Sequence, residues 1–288
     1  MIRFLIALLA LVAASSPAAY AADGLQAKFT AQSRLVPART VQVWLPAGYA
    51  ASKRRYPVIY LHDGQNVYDE PAPLSGKSWA VQRALARLIA AGKARPAILV
   101  AVWNNANRIG EYMPQAAVPS LGATSDPKAD DLFRTLPVER ANVVGDAYLK
   151  FLVTELKPLI DARYRTLPGP KNTMLMGSSM GGLISAYALV RYPRVFGAAA
   201  CLSTAWPIGE GFTERWFEAH LPPRTARLYF DYGLGTNDGA IEPFQRRLDA
   251  AAGNRGGRWV SRAFPGAEHS ERAWAARVDI PLTFLLAR

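Results

Sequence analysis

Cysteine is almost absent from this 288-residue sequence, in which Cys201 is the only one. A single cysteine cannot form a disulfide within the chain, so covalent cross-links do not stabilise the fold. Cys201 lies in the apolar segment 196–202, where a cysteine usually acts as a small buried side chain and not as a reactive thiol. Histidine is scarce as well, with three in all. Because zinc sites need several Cys or His ligands, we expect no metal site.

Long apolar runs are also few. The clearest covers residues 4–14, which is too short to span a bilayer as a helix. Arg3 precedes it, and Ala19-Tyr20-Ala21 fits the A-x-A cleavage pattern. This order is typical of a secretory signal peptide. We therefore expect a signal peptide over residues 1–21, a mature domain over 22–288 that has no stable membrane association, and a periplasmic or secreted location.

Acidic residues are fewer than basic ones: the sequence has 22 Asp and Glu but 34 Lys and Arg, which gives a formal net charge of +12. Such a balance occurs in proteins that bind polyanions or acidic ligands. Here the basic residues are scattered, and the densest clusters, 53–55 and 246–247, are not interleaved with aromatic residues. No motif for binding RNA or DNA is present. We interpret the charge as a solvated basic surface, expect no nucleic-acid partner, and leave an anionic substrate open.

Half of the residues are apolar, which is enough for a sizeable core. Strand-like and helix-like segments alternate, and this predicts an α/β fold with a mainly parallel central sheet flanked by helices. Residues 104–142 are rich in Pro, Asn, Asp and Ser and are predicted to form a loop region near the functional site. The predicted strands are 41–45, 57–61, 97–102, 173–176, 196–202, 227–232 and 258–264. The predicted helices are about 78–92, 148–160, 181–191 and 270–287, the last with a break favoured near Pro281.

The segment Gly177-Ser178-Ser179-Met180-Gly181 lies between a predicted buried strand and a predicted helix. It matches the G-x-S-x-G pattern of a nucleophile elbow. A chain that turns this sharply leaves no room for side chains two residues before and after the serine, which accounts for both glycines. The N-terminus of the following helix favours a developing negative charge. Ser179 is therefore the predicted nucleophile.

A serine nucleophile needs a base and an acid, and in this fold they follow it in the order acid, then histidine. That order excludes His62. His220 lies in a segment typical of a surface helix, whereas His269 directly follows the last predicted strand, so His269 is the predicted base. The acid should lie in the loop after the preceding strand. Asp238 is in that loop and is preferred, and Asp231, at the end of the strand itself, is the alternative.

Acyl transfer also needs donors for the oxyanion. One is expected from the backbone N–H after the nucleophile, that of Met180, and the other from the loop after an earlier strand. Gly64 lets the chain turn after strand 57–61, and the N–H of Gln65 is the candidate. Nucleotide sites are not expected: Gly76-Lys77-Ser78 has Pro71 where a P-loop needs its first glycine, and Gly233-x-Gly235 lacks the third glycine of a dinucleotide fingerprint.

Together these motifs resemble those of an esterase family of α/β hydrolases that includes S-formylglutathione hydrolase, feruloyl and acetylxylan esterases, enterobactin esterases and the antigen 85 mycolyltransferases. The resemblance runs from about Thr40 to the C-terminus. It implies Ser179 as nucleophile, Asp238 as acid, His269 as base, and the backbones of Gln65 and Met180 as the oxyanion hole. It also implies that Glu111 anchors Arg108 and is not a catalytic acid. The segments that carry it are 62–66, Arg108-x-x-Glu111-Tyr112-x-Pro114, 177–182, 235–238 and 266–269.

The expected function is that of a serine carboxylesterase that hydrolyses a small-molecule or glycan ester through an acyl-enzyme, without a cofactor and without a large lid. The alternatives are an acyltransferase to a sugar hydroxyl and a non-catalytic ligand-binding protein on the same fold. Tyr68, Trp103 and Trp206 are candidates for the substrate pocket, and core packing is the alternative for each of them.

Overall fold

An eight-stranded, mostly parallel sheet runs through the protein. The computed structural model describes residues 24–68, 78–118, 139 and 142–287. The expected signal peptide, residues 1–21, lies outside these described residues. The strands are β1 Leu25–Ala31, β2 Arg39–Leu45, β3 Val58–Leu61, β4 Ile98–Val102, β5 Thr173–Ser178, β6 Ala198–Leu202, β7 Arg227–Gly233 and β8 Trp259–Phe264. They lie in the order β1-β2-β4-β3-β5-β6-β7-β8. The pairs β1–β2 and β2–β4 are antiparallel, and every other pair is parallel.

Helices cover both faces of the sheet. They are α1 Val81–Ala90, α2 Arg108–Tyr112, α3 Gly145–Phe151, α4 Lys157–Arg163, α5 Met180–Arg191, α6 Phe212–Ala219, α7 Glu242–Ala252, α8 Glu271–Arg277 and α9 Asp279–Leu286. A π-helical segment, Leu152–Leu156, joins α3 to α4, and short 3-10 turns include Gly64–Asn66 and Gly239–Ile241. No helix within the described ranges is long and apolar enough to cross a membrane.

The inner strands are buried on both faces, which is why they appear in the sequence as nearly continuous apolar runs. In β4, Ile98, Val100 and Val102 pack into the core on one face of the sheet, while Leu99 and Ala101 pack into the core on the other. Side chains alternate between the faces of a strand, so each inner strand contributes to both cores. The prediction of an α/β fold with a mainly parallel sheet is confirmed.

The seven predicted strands are present to within two residues at either end, and β1 was not predicted. It is an edge strand of seven residues in which Gln26, Lys28 and Thr30 are exposed. The predicted C-terminal helix is indeed broken, but at Val278 and not at Pro281. Pro281 lies in the first turn of α9, where the missing N–H has no helical partner to lose.

The carboxyl ends of the parallel strands lie at one edge of the sheet, and the segments that follow them carry the predicted functional residues. Gly64–Asn66 follows β3, Ser179 follows β5, Asp238 lies in the turn after β7, and His269 lies in the turn after β8. Loops at this edge are where parallel α/β sheets place ligands. The fold therefore gathers residues that are up to two hundred positions apart in the sequence.

One histidine is buried at this edge. His62 is 1% exposed, its Nδ1 lies 2.8 Å from the Tyr148 hydroxyl, and its ring lies edge-on to Tyr112. The pKa of His62 is lowered from 6.5 to about 4, chiefly by burial; Asp63 acts to raise it, and the charges of Arg108 and Arg39 act to lower it. The side chain is therefore neutral at pH 7 and cannot accept a proton readily.

A buried neutral histidine makes folding stability depend on pH. The unfolded chain binds a proton at His62 below about pH 6.5 and the folded chain only near pH 4, so the free energy of unfolding falls as pH falls through this window. We expect His62 to contribute a loss of about 2 to 3 kcal/mol between pH 7 and pH 4.5. Urea unfolding at the two pH values measures it. The loss should shrink in His62→Gln and persist in His220→Gln, whose side chain is exposed. Equal losses in all three proteins would contradict the assignment.

Candidate active site

Ser179 occupies a strained turn between β5 and α5. Its backbone has φ 54° and ψ −121°, a conformation that residues other than glycine rarely adopt. Hydrogen bonds hold the turn: the Ser179 N–H donates to the Leu202 carbonyl at 2.8 Å, and the Ser179 carbonyl accepts from the N–H of Leu183 at 3.1 Å. A Cβ added at Gly177 would lie 2.6 Å from the backbone of Gly181. The turn can form because position 177 is a glycine, the only residue that fits so close to the Gly181 backbone. It places the partly exposed Ser179 side chain at the carboxyl edge of the sheet.

His269 and Asp238 lie in contact although 31 residues separate them. His269 Nδ1 lies 2.8 Å from Asp238 Oδ1, and the histidine side chain is 28% exposed while the carboxylate is fully buried. A carboxylate only accepts hydrogen bonds, so Nδ1 carries the proton in this contact. In the neutral imidazole, a proton on Nδ1 leaves the other ring nitrogen, Nε2, with a free lone pair, which is the form that a general base needs.

The second carboxylate oxygen of Asp238 has donors of its own. Oδ2 accepts from Ser203 Oγ at 2.7 Å and from the N–H of Gly233 at 2.5 Å. Burial acts to raise the pKa of Asp238, but the hydrogen bonds from His269, Ser203 and Gly233 outweigh it and lower the pKa below its usual value. The carboxylate is therefore charged throughout the neutral range.

Ser203 is itself held by two donors behind the carboxylate. Its Oγ accepts from Trp274 Nε1 at 2.8 Å and from Arg277 Nη2 at 2.9 Å, so its own proton is directed at Asp238. Trp274 also packs its ring edge-on against His269 with the centroids 5.1 Å apart. We refer to Ser203, Trp274 and Arg277 as the acid support. None of the three was predicted; the one signal available was that Ser203 follows an inner strand, as the predicted site residues do.

Asp231, the alternative acid, is placed elsewhere. Its Oδ1 accepts from Arg277 Nε at 3.0 Å, and its backbone carbonyl accepts from the Ser203 N–H at 2.7 Å. Of the two aspartates, the structure brings Asp238 to His269 and pairs Asp231 with a buried arginine. Arg277 Nη2 also lies 3.9 Å from Asp238 Oδ2, so its charge faces both carboxylates.

The loop after β3 lies against the elbow. A Cβ added at Gly181 would lie 3.2 Å from the Cβ of His62 and 3.3 Å from a carboxylate oxygen of Asp63, which shows how closely the two loops approach. Gln65 is the second residue of the 3-10 turn and Met180 the first of α5. The first N–H groups of a helix have no partner within it, so both backbones can offer a donor at this edge.

Ion pairs hold the loop after β3, with partners that differ from those expected. Arg108 binds Asp63 through two hydrogen bonds of 2.7 and 2.8 Å, and Asp63 has a left-handed φ of 54°. Glu111 does not anchor Arg108, which corrects the expectation. It binds Arg39 through both oxygens at 2.7 Å, and both side chains are buried. The three-residue spacing in α2 suggests that Arg108 and Glu111 pair with each other. Each of them instead binds an oppositely charged side chain from a different part of the chain.

The three aromatic candidates for the pocket are placed differently from one another. Tyr68 is 2% exposed and donates to the Leu99 carbonyl at 3.0 Å, and Trp206 is fully buried with its Nε1 donating to Gln245 at 2.9 Å. Neither is open to a substrate in this structure. Trp103 is partly exposed and adjoins the loop after β3, since a Cβ added at Gly64 would lie 2.8 Å from its ring.

Within the described ranges, no group of three or more His, Cys, Asp or Glu side chains is arranged to hold a metal ion. What the arrangement offers is a serine on a strained turn, a buried carboxylate bound to a partly exposed histidine, and two helix starts with free N–H groups. Those are the components of acyl transfer by a nucleophile, a base and an oxyanion site.

Comparisons with known proteins place the chain in a family of esterases. A family model described as "Putative esterase" matches residues 33–279. One relative is the uncharacterized protein YbbA of Bacillus subtilis, 25% identical over 195 residues that make up 68% of each chain. Another is an endo-1,4-beta-xylanase/feruloyl esterase of Xylanibacter ruminicola, 28% identical over 169 residues, which cover 57% of this chain and 19% of that longer one.

Solved structures share the fold at low sequence identity. An IroE-like serine hydrolase from Shewanella oneidensis has a TM-score of 0.66 at 22% identity, with 90% of this chain and 79% of that chain covered. An enterobactin esterase from Shigella flexneri, solved in the presence of enterobactin, has a TM-score of 0.69 at 18% identity, with 95% and 62% covered. The family match spans most of the sequence, and the chain thus belongs to this esterase family of α/β hydrolases and is a hydrolase acting on ester bonds.

Proposed function

We propose that the chain is a serine carboxylesterase in which Ser179 is the nucleophile, His269 the base and Asp238 the acid. The observation that carries this proposal is the 2.8 Å contact between His269 Nδ1 and the buried Asp238 carboxylate, at the sheet edge where Ser179 stands on its strained turn. The order of the three residues along the chain is that of α/β hydrolases.

In the first half of the reaction, Ser179 Oγ attacks the ester carbonyl carbon while His269 Nε2 takes the serine proton. The tetrahedral oxyanion accepts hydrogen bonds from the N–H groups of Met180 and Gln65. The carbon–oxygen bond to the alcohol breaks, His269 returns the proton to the leaving oxygen, and the acyl group stays on Ser179. In the second half, water gives a proton to His269 and attacks the acyl carbon, and the acid leaves as Ser179 regains its proton.

The carboxylate has two tasks in this scheme. It holds the imidazole in the tautomer that leaves Nε2 free, and it stabilises the imidazolium that forms when the serine proton moves. A charged Asp238 is required for both. Burial alone would disfavour that charge, so the hydrogen bonds from Ser203 and Gly233 support the role.

The substrate class we propose is a small-molecule or glycan ester. One relative is named as an endo-1,4-beta-xylanase/feruloyl esterase, and one fold neighbour is an enterobactin esterase solved in the presence of enterobactin. Near the candidate site, Trp103 is partly exposed beside the loop after β3, and Leu234, just after β7, is 41% exposed. Lys28 Nζ lies over the Trp103 ring, 4.6 Å from its centre, and an aromatic or sugar ring can take the place of this exposed lysine. An apolar group can cover Leu234.

Hydrolysis of a p-nitrophenyl ester series from acetate to decanoate, together with feruloyl esters, tests the triad. We expect Ser179→Ala to abolish turnover and Asp238→Asn to lower kcat by about 10⁴-fold, because the wrong imidazole tautomer is then held. Ser185→Ala is the matched control. Ser185 is buried in α5, the helix that begins directly after Ser179, and its Oγ donates a hydrogen bond to the Gly181 carbonyl.

A fluorophosphonate should label Ser179 in the wild-type chain. Unlabelled protein, or equal rates for wild type and Ser179→Ala, would contradict the triad and favour a non-catalytic binding protein. Transfer of the acyl group to an added sugar in preference to water would show that the chain is an acyltransferase and not an esterase.

The acid support yields a separate prediction. Ser203→Ala removes a hydrogen bond to a buried carboxylate, which is worth about 1.5 to 3 kcal/mol. If this energy orients the acid, kcat falls about 10- to 100-fold while KM stays unchanged, since Ser203 lies behind Asp238 and away from the substrate. Steady-state kinetics on folded protein measures both constants. A kcat within twofold of the Ser185→Ala control would show that Asp238 needs no help from Ser203.

We also propose that the protein is exported, on the strength of the N-terminal sequence pattern. When the full chain is expressed with its N-terminus intact in a Gram-negative host, the soluble protein should appear in the periplasm with Ala22 as its first residue. N-terminal sequencing and intact mass measure this. A cytoplasmic protein that retains residues 1–21 would contradict the proposal.

A further inference from the structure

A cavity lies at the opposite edge of the sheet, away from the candidate triad. Its volume is about 600 Å³, and it is lined by residues that lead into β5, β6, β7 and β8. The triad residues follow the carboxyl ends of β5, β7 and β8. Because β7 has seven residues and a strand rises about 3.3 Å per residue, the two sites lie roughly 20 Å apart.

Four basic side chains line this cavity: Arg95, Lys171, Arg227 and Arg258. None of the described residues that line it is acidic. Burial lowers the pKa of Arg227, and the charges of Arg95 and Arg258 lower it further. Like charges have therefore been brought together around the partly buried Arg227, and no acidic side chain lies among the described lining residues. We refer to this cavity as the basic pocket.

Arg95 and Arg227, which are partly buried, lack the carboxylate partners that several other arginines of the chain have. The guanidinium groups of Arg39, Arg108 and Arg277 each bind a carboxylate. By contrast, Arg95 Nε is shielded from solvent and has no hydrogen-bond partner within the described part of the chain. Arg227 donates to a backbone carbonyl, that of Phe284. No carboxylate among the described residues is paired with Arg95 or Arg227, so an anion that enters the cavity meets guanidinium charges that are not already neutralised.

Most of the remaining wall is apolar, with Asn172 and Thr225 as its polar residues. Pro170, Pro193 and Pro223 line the cavity between the basic side chains. A volume near 600 Å³ is within the range of pockets that hold small organic ligands. Such a wall suits a ligand with an apolar body, because bare inorganic ions gain nothing from apolar surface.

We propose that the basic pocket binds an organic anion. Its phosphate, sulfate or carboxylate group accepts hydrogen bonds from Arg95 and Arg227, and its apolar body packs on the accessible prolines of the lining, Pro170, Pro193 and Pro223. The guanidinium group is suited to this task because its planar fork matches the geometry of oxyanions. This binding site is separate from the ester site and does not depend on the proposed reaction.

Titration calorimetry of the full chain with 1-naphthyl phosphate tests the proposal, with 1-naphthol and inorganic phosphate as the two partial probes. We expect one saturable site for 1-naphthyl phosphate, and binding at least tenfold weaker for 1-naphthol and for phosphate. Arg95→Gln and Arg227→Gln should each weaken binding at least tenfold. Arg34→Gln is the matched control, since Arg34 is exposed between β1 and β2, near the carboxyl end of β4, and its loss changes the net charge equally.

Ser179→Ala and fluorophosphonate-treated protein should bind 1-naphthyl phosphate as the untreated chain does, which separates this site from the ester site. Ligand-free Arg95→Gln should melt at the same temperature or higher, because the change removes an unpaired cation from among like charges. Absence of saturable binding, equal weakening by Arg34→Gln, or loss of binding after fluorophosphonate treatment would each overturn the proposal.

Discussion

A buried negative charge organises the candidate site. Asp238 is removed from water, and a carboxylate in that position stays ionised only if the protein supplies donors to both of its oxygens. His269 serves one oxygen, and Ser203 and the Gly233 N–H serve the other. Each donor then needs its own geometry: the acid support fixes Ser203, and Gly233 must lack a side chain because a Cβ there would lie 2.0 Å from the Ala267 carbonyl.

The two ends of the sheet handle charge in opposite ways. At the carboxyl edge, every buried ion described here has a partner of opposite sign or several hydrogen bonds, as Arg39 with Glu111 and Arg108 with Asp63 illustrate. At the amino edge, basic side chains converge without an acid in the described lining. A net charge of +12 makes unpaired surface arginines common in this chain, but it does not explain one whose Nε is shielded from water. That contrast is what distinguishes the basic pocket from ordinary surface charge.

Much of the architecture could be predicted because it depends on local patterns. Buried strands appear as apolar runs, and the G-x-S-x-G turn around Ser179 has a steric cause that the residues themselves display. The placement of Asp238 and His269 could be predicted since each lies in the segment that follows a recognisable strand. The edge strand β1 escaped prediction because half of its side chains face solvent and its apolar signal is weak.

Pairings between distant elements could not be read in the same way. Arg108 and Glu111 stand one helical turn apart, yet each binds an ion from a different strand or loop. Whether an aromatic side chain lines a pocket or fills the core depends on which elements surround it, and Trp206 turned out to be fully buried. Ser203 carries no motif at all. Its importance arises from three side chains that meet only in the folded chain.

The turns that carry the acid and the base are joined to each other before any substrate arrives. The Gly235 N–H donates to the Ala267 carbonyl at 2.9 Å, and the Leu234 N–H donates to the Phe264 carbonyl at 3.0 Å. The ladder between β7 and β8 thus continues past the ends of the strands and sets how far Asp238 stands from His269. Loops elsewhere around the site can be exchanged for longer or shorter ones without altering that spacing. This separation lets one scaffold be adapted to many esters, whether by natural divergence or by design.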